Sequence, residues 1–174
     1  DGHVKVGVNP VSKDEMYVFV TEERAVNERI PAEQQPQMLR VVLAPFAAQP
    51  ERAVRDAIGP DARVAFRPLE GMLMPRPWHA GRVVLVGDAV HATTPHLASG
   101  AGIGIEDGIV LAQELGRAAS LEAALAAFEN RRFERCRAVV ENSGKLGEIE
   151  ASGGDKALHG QIMRDTMATL AEPI

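Results

Sequence analysis

A single cysteine, Cys136, leaves no partner for an internal disulfide. For a chain of 174 residues this fits a reducing compartment, and cytoplasmic residence is the natural expectation. No run of about 18 apolar residues exists, so no membrane-spanning helix is expected. No basic start is followed by an apolar run, so no secretory signal is read. The chain begins at Asp1 rather than Met, which suggests a processed, trimmed or partial chain. Aromatic residues make up only 4%, so a core must be built mostly from Ala, Val, Leu and Ile. Cations are outnumbered, 19 Lys and Arg against 24 Asp and Glu, giving a net charge of −5. That balance argues against nucleic acid or an anionic membrane as the main partner. No internal repeat or low-complexity tract is present.

What is there is ordinary for a folded chain: 45% apolar and 25% charged residues. The length suits one domain, or two small pieces of something larger. Residues 4–9 and 16–21 read as short strands joined by a hairpin, with Tyr17 and Phe19 on one face and Met16, Val18 and Val20 on the other. A helix starting near Pro31 carries Leu39, Val42, Leu43 and Phe46 at helical spacing. A second covers 51–58 and stops at Gly59-Pro60. Residues 62–69 alternate like a third strand, with Val64 and Phe66 together. Four large apolar residues in 82–88 predict a strand buried on both faces, as in a parallel sheet, although no parallel partner is visible in the chain. A helix over 101–117 is expected to bury Ile105, Ile109, Ala112 and Leu115. Ser120 reads as the cap of a long helix over 121–149, whose apolar stripe includes Leu121, Leu125, Phe128, Cys136, Val140 and Leu146. After Ser152-Gly153-Gly154, a last helix over 155–171 uses Leu158, Ile162, Met163, Met167 and Leu170.

The chemistry concentrates in 87–107, GDAVHATTPHLASGAGIGIED. A Gly-rich segment between a strand end and a helix start presents free backbone N–H groups and the positive end of a helix dipole. Gly100, Gly102 and Gly104 permit close approach of a flat ligand, and three glycines in five residues suggest positive φ at Gly102. Asp88 stands at the strand end, where a carboxylate can accept hydrogen bonds from sugar hydroxyls. The spacing is not the dinucleotide fingerprint: Ile105 and Asp107 stand where its third glycine would fall. On the residues alone, a cofactor loop and a structural Gly-rich turn both remain open.

The run Trp78-x-x-Gly81-Arg82-Val83-x-Leu85-x-Gly87-Asp88 continues through His91-Ala-Thr-Thr-Pro95-His96, Gly100-Ala-Gly102 and Glu106-Asp107. It resembles the second flavin motif of the flavoprotein aromatic hydroxylases, the group similar to para-hydroxybenzoate hydroxylase, and most of all its salicylate hydroxylase branch. The resemblance covers about residues 1–150. It implies FAD as cofactor, NAD(P)H as reductant and a small aromatic or ring-type substrate, and leaves a homodimer open. It implies that Asp88 holds the ribityl hydroxyls and that Gly87 lets the flavin chain pass. Pro95 would lie at the reactive edge of the ring. Gly100 opens the glycine segment, in which Ala101 and Gly102 would offer N–H groups to the flavin N1/O2 edge. Many members carry Asn near Gly102, so only backbone contact is expected here. The family's N-terminal G-x-G-x-x-G turn and its Asp-Gly motif are missing, and the family's chains are longer. The expectation is therefore an α+β or α/β fragment, the C-terminal portion of such an enzyme. Residues 1–75 would belong to a substrate-domain sheet, 76–120 to the second FAD motif and 121–174 to C-terminal helices.

Other residues read more simply. His91 and His96 match no zinc pattern, so no metal is expected, and His91 is read as a packed loop residue satisfying backbone groups. His96 could act as a base, but no side chain is assigned as catalytic. Asp107 is expected to buttress the loop, Trp78 to anchor packing and Cys136 to be a core thiol. Arg131, Arg132, Arg135 and Arg137, interleaved with Glu129, Glu134 and Glu141, read as a solvated salt-bridged helix face. The rival functions are a flavin oxidoreductase that does not hydroxylate, and a structural or dimerisation module without flavin.

Overall fold

A computed structural model describes residues 4–24, 26 and 28–174, which divide into two compact units, 1–68 and 69–174. The first unit opens with an antiparallel hairpin of β1 (Val4–Pro10) and β2 (Met16–Glu22), in register Val4↔Glu22 through Pro10↔Met16. The link closes through Val11 and Ser12 N–H groups donating to the Glu15 carbonyl. Gly7 faces Phe19, and a Cβ built on it would lie 2.1 Å from the ring. The aromatic ring thus fills the space that glycine leaves on the strand. Helix α1 (Gln35–Leu43) follows a short turn from Ala32, and α2 (Gln49–Ala57) packs against it. Leu43 and Ile58 are buried there, and α2 ends before Gly59-Pro60 as the stop signal requires.

Residues 62–69 do not form the expected strand. Ala62, Val64 and Phe66 are half-buried while Arg63, Ala65 and Arg67 are exposed, so the alternation is real. No strand among the described residues pairs with them, and alternation without a ladder partner gives only extended chain.

The second unit is organised by helices. After β3 (His79–Ala80) and β4 (Val83–Val84), a minimal antiparallel pair, come α3 (Asp88–His91), α4 (Gly100–Arg117), α5 (Leu121–Ser152) and α6 (Lys156–Ala171). The strand expected to be buried on both faces is short and exposed: Val83 is 66% accessible, and Leu85 and Val86 also face outward. A strand is buried by its neighbours, and the described residues supply only β3.

Helix α4 also departs from expectation. Its buried positions are Ile103, Asp107, Val110 and Glu114, while Ile105 is 67% exposed and Ile109, Ala112 and Leu115 face outward. Both stripes fit helical spacing. The partner helix α5 selects the one that carries two acids, because α5 supplies the matching arginines.

Ser120 caps α5 as expected, its hydroxyl accepting from the Ala123 N–H, and Gly153, at φ 63°, ends it in the left-handed region. The buried stripe of α5 runs Leu125, Phe128, Arg132, Cys136, Val139, Ser143 and Leu146; Leu121 lies outside it, partly exposed. Around its first half Trp78, Val90, Val110, Phe128 and Cys136 form one core, with the Trp78 indole edge-on to Phe128 at 6.3 Å. Around its second half Leu97, Ile103, Val139 and Leu146 form another, flanked by Ile162, Met163 and Leu170 of α6. Residues 72–74 run beside α3, with the Met72 and Met74 N–H groups donating to the Ala92 and Val90 carbonyls.

Phe128 is fully buried at the centre of the first core. Phe128→Ala should cost about 3–5 kcal/mol, the usual loss for a buried aromatic ring. Thermal unfolding checks this, and an unchanged melting temperature would remove Phe128 from the core.

Candidate functional site

The site is a strand–turn–helix hung on one carboxylate. β4 leads to Gly87, whose φ of 60° and ψ of −139° lie where side chains are strained. The Gly87 N–H donates to Asp107 Oδ2 at 2.9 Å. The same oxygen lies 2.6 Å from His91 Nε2, and Arg132 Nε donates to Oδ1 at 2.8 Å. Asp107 has no exposed surface, and His91 and Arg132 have 1% each. Arg132 also donates to Glu106 Oε2 at 2.7 Å and to the Ile103 carbonyl at 3.1 Å. Arg135 grips both Glu106 oxygens at 2.8 Å and reaches the Thr169 and Leu170 carbonyls at the end of α6. One network therefore fixes the turn, α4, α5 and α6.

Two readings are corrected by this network. Arg132 is buried and ion-paired rather than solvated; the solvated, salt-bridged face holds for Arg137 with Glu134 and Glu141. His91 pairs with the Asp107 side chain rather than with backbone acceptors. Its Nδ1 has no hydrogen-bond partner, and its ring lies 5.9 Å from that of Trp78. The sequence carries a signal for Arg132 and Ser143: both occupy positions in the apolar stripe of α5, where a polar residue must find a buried partner.

The pair's electrostatics follow from the geometry. Burial disfavours a charged His91, but the Asp107 hydrogen bond, with help from Cys136, outweighs it and raises the imidazole to about 10. Burial likewise works against the Asp107 carboxylate, and the bonds from His91, Gly87 and Arg132 hold it below its ordinary value. Ligand atoms of His91, Asp107 and Cys136 lie within 4.8 Å of one another. The Arg132 guanidinium already supplies the cation there, on Asp107 and 3.6 Å from Cys136 Sγ.

The anticipated site residues lie at the start of α3, on the turn after it and at the start of α4. Asp88 begins α3 with its carboxylate exposed and making no hydrogen bond to any described residue. The first bond of α4 runs from the Ile103 N–H to the Ser99 carbonyl, so the N–H groups of Gly100, Ala101 and Gly102 precede the helical ladder. The Ser99 hydroxyl turns away to the Leu97 carbonyl and leaves them uncapped. A Cβ on Gly104 would lie 3.7 Å from the Gly87 Cα, so α4 passes directly against the turn. Gly102 does not take positive φ: it lies in α4, and a Cβ there would meet nothing within 4 Å. The positive values fall instead at Gly81, Gly87, Gly153 and Ala98. Pro95 is exposed and opens a single 3-10 turn, Pro95–Leu97, anchored by buried Leu97.

An exposed carboxylate at the Gly87 turn and uncapped N–H groups at the start of the helix that passes against that turn have the chemistry to meet a ligand's hydroxyls and electron-rich oxygens. Residues 3–143 match the FAD binding domain family, and the chain belongs to that family. A putative FAD-dependent monooxygenase of Bacillus subtilis, YetM, is 34% identical over 145 residues, covering 83% of this chain and 39% of YetM. The salicylate hydroxylase of Pseudomonas putida is 38% identical over 94 residues, covering 51% of this chain and 22% of that enzyme. Among solved structures, Klebsiella pneumoniae HpxO complexed with FAD and uric acid superposes with a TM-score of 0.71 at 25% identity, over 98% of this chain and 44% of HpxO. The chain thus spans about two fifths of the length of such relatives. Among the described residues no helix is long and apolar enough to cross a membrane.

The His91–Asp107 pair sets a pH dependence. A raised imidazole contributes stability that is full below its ordinary value of 6.5 and is lost as pH rises towards 10. The lowered Asp107 works oppositely, its contribution being lost as pH falls below the ordinary 3.8. Urea unfolding of the wild type and His91→Asn at pH 6, 8 and 10 should show an advantage that shrinks as pH rises. A constant difference across that range would overturn the assignment.

Proposed function

We propose that the chain is the C-terminal part of an FAD- and NAD(P)H-dependent monooxygenase that hydroxylates an aromatic or similar ring compound. The observation that carries this reading is the exposed Asp88 carboxylate, which bonds to no described residue, on a turn against which α4 passes with the N–H groups of Gly100, Ala101 and Gly102 uncapped. These residues fit the ribityl and ring half of FAD. With FAD bound, Asp88 would accept from ribityl hydroxyls, Gly87 would leave room for the chain to pass, and the N–H groups at the start of α4 would favour the negative charge that develops at N1/O2 on reduction. When bound, the flavin supplies hydride acceptance and oxygen activation. The protein's part is to orient it and to keep water out, with Pro95 on the substrate side. No side chain is assigned as acid or base.

The relatives support the substrate class. One is named a salicylate hydroxylase, and HpxO has been crystallised with uric acid, both small ring compounds. In this reading residues 1–75 belong to a substrate-binding sheet, 76–120 to the flavin motif and 121–174 to helices that brace it. The protein would act in the cytoplasm, and a homodimer is compatible with it.

In the full-length polypeptide, Asp88→Ala should release FAD more readily, because a hydrogen bond to a charged group worth about 1.5–3 kcal/mol is lost. Flavin absorbance after exhaustive dialysis measures this, and undiminished occupancy would sink the assignment.

Gly102→Val gives a sharper test. A Cβ there meets open space and φ is helical, so the melting temperature should hardly move. Flavin content should nonetheless fall, because the added side chain enters the space the ring would occupy. A lower melting temperature with full flavin content would show that Gly102 serves packing instead.

A further inference from the structure

The turn that carries Pro95 is tied to α5 by a hydrogen-bond chain whose direction is determined by its chemistry. Ser143 is fully buried, and its Oγ lies 2.6 Å from the Thr94 carbonyl. A carbonyl cannot donate, so the one Ser143 hydroxyl proton points to it. The 2.8 Å contact between Thr94 Oγ1 and Ser143 Oγ then requires Thr94 to donate. Thr94 has one proton, so its 3.0 Å contact with His96 Nδ1 requires the imidazole to donate. The chain runs His96 Nδ1–H to Thr94 Oγ1–H to Ser143 Oγ–H to the Thr94 carbonyl, and each donor has one acceptor.

The imidazole is also seated sterically. It lies over Gly147 of α5, where a Cβ would come within 2.7 Å of His96 Cε1. On the far side, Glu150 Oε2 lies 4.0 Å from His96 Nε2, and Glu150 Oε1 lies 3.1 Å from His159 Nε2 of α6. Residues about fifty positions away in sequence thus hold the ring immediately next to Pro95.

We propose that Thr94 and Ser143, with the Gly147 notch, are positioning residues: they keep a proton on His96 Nδ1 and hold the Pro95–Leu97 turn in the place where the flavin reading puts the edge of the ring. The inference rests on the flavin reading above. The turn's own bond, Ala98 N–H to the Pro95 carbonyl at 3.0 Å, reports whether the turn is held.

The test uses the full-length polypeptide and the pair Thr94→Val and Thr94→Ser. Valine keeps the shape and loses the hydroxyl; serine keeps the hydroxyl. Thr94→Val should convert His96 to the Nε2–H form in nitrogen-15 NMR and lower exchange protection of the Ala98 amide about fivefold, the effect of one hydrogen bond. It should also shift the visible flavin band and the flavin midpoint potential, and Thr94→Ser should restore all four. Gly147→Ala, which leaves every hydroxyl in place, should reproduce the Thr94→Val pattern by displacing the ring. If Thr94→Val alters the tautomer while band and potential stay at wild-type values, the positioning role is overturned and the flavin reading stands. If Thr94→Ser behaves like Thr94→Val, the hydroxyl chain is not the cause and the proposal fails. Failure of the underlying reading looks different: the wild type then carries no flavin, and this inference falls with it.

Discussion

The second unit depends on a carboxylate with no access to water. Asp107 of α4 joins two segments that are distant in sequence, the Gly87 turn with His91 of the α3 it opens, and Arg132 of α5. A buried ion pair gains little net stability, because removing two charges from water offsets most of their attraction. Losing one partner is far more costly, since the survivor is left charged and unpaired. The network is therefore better understood as a device for placement than as a source of stability. Apolar contacts alone would let α4 rotate or slide on α5 with modest loss. A two-oxygen acceptor with donors fixed on three sides admits one arrangement.

That constraint explains which face of α4 is buried. Helical spacing alone offers two stripes, one apolar through Ile105, Ile109 and Leu115, and one mixed through Ile103, Asp107, Val110 and Glu114. Hydrophobicity favours the first, and the fold uses the second. The choice is made by α5, whose Arg132 and Arg135 meet Glu106 and Asp107, and whose Arg131 meets Glu114. Arg117, one turn along α4, closes on Glu114 as well, and the two arginines hold that carboxyl below its ordinary value.

Much of the architecture was legible because it rests on local rules. The hairpin, the Ser120 cap, the end of α5 at Gly153 and the order of the helices follow from strand alternation, capping and glycine conformation. The flavin-type motif was legible as an ordered string of residues. What could not be read locally was everything decided by a distant partner. The strand character of 62–69 needed a ladder neighbour. The burial of 83–86 needed flanking strands, and in the flavoprotein reading these come from the polypeptide beyond this chain. The bonding of His91 needed Asp107, sixteen residues away. The positive φ expected of Gly102 fell to Gly87 and Ala98, because the glycine cluster had already entered the helix.

The polar residues of this unit accordingly separate into two kinds. Those in the stripe of α5 and opposite it, Arg132, Ser143, Asp107 and His91, are buried and bonded to protein. They set the positions of the Gly87 and Pro95 turns. Asp88 is exposed, and neither its carboxylate nor the first N–H groups of α4 find a partner among the described residues. The rigidity of the buried set is what gives the exposed set its meaning. A loose turn could satisfy Asp88 by folding back on itself, whereas a turn held by Asp107 keeps the carboxylate outward, and it is this fixed placement on which the flavin reading of Asp88 rests.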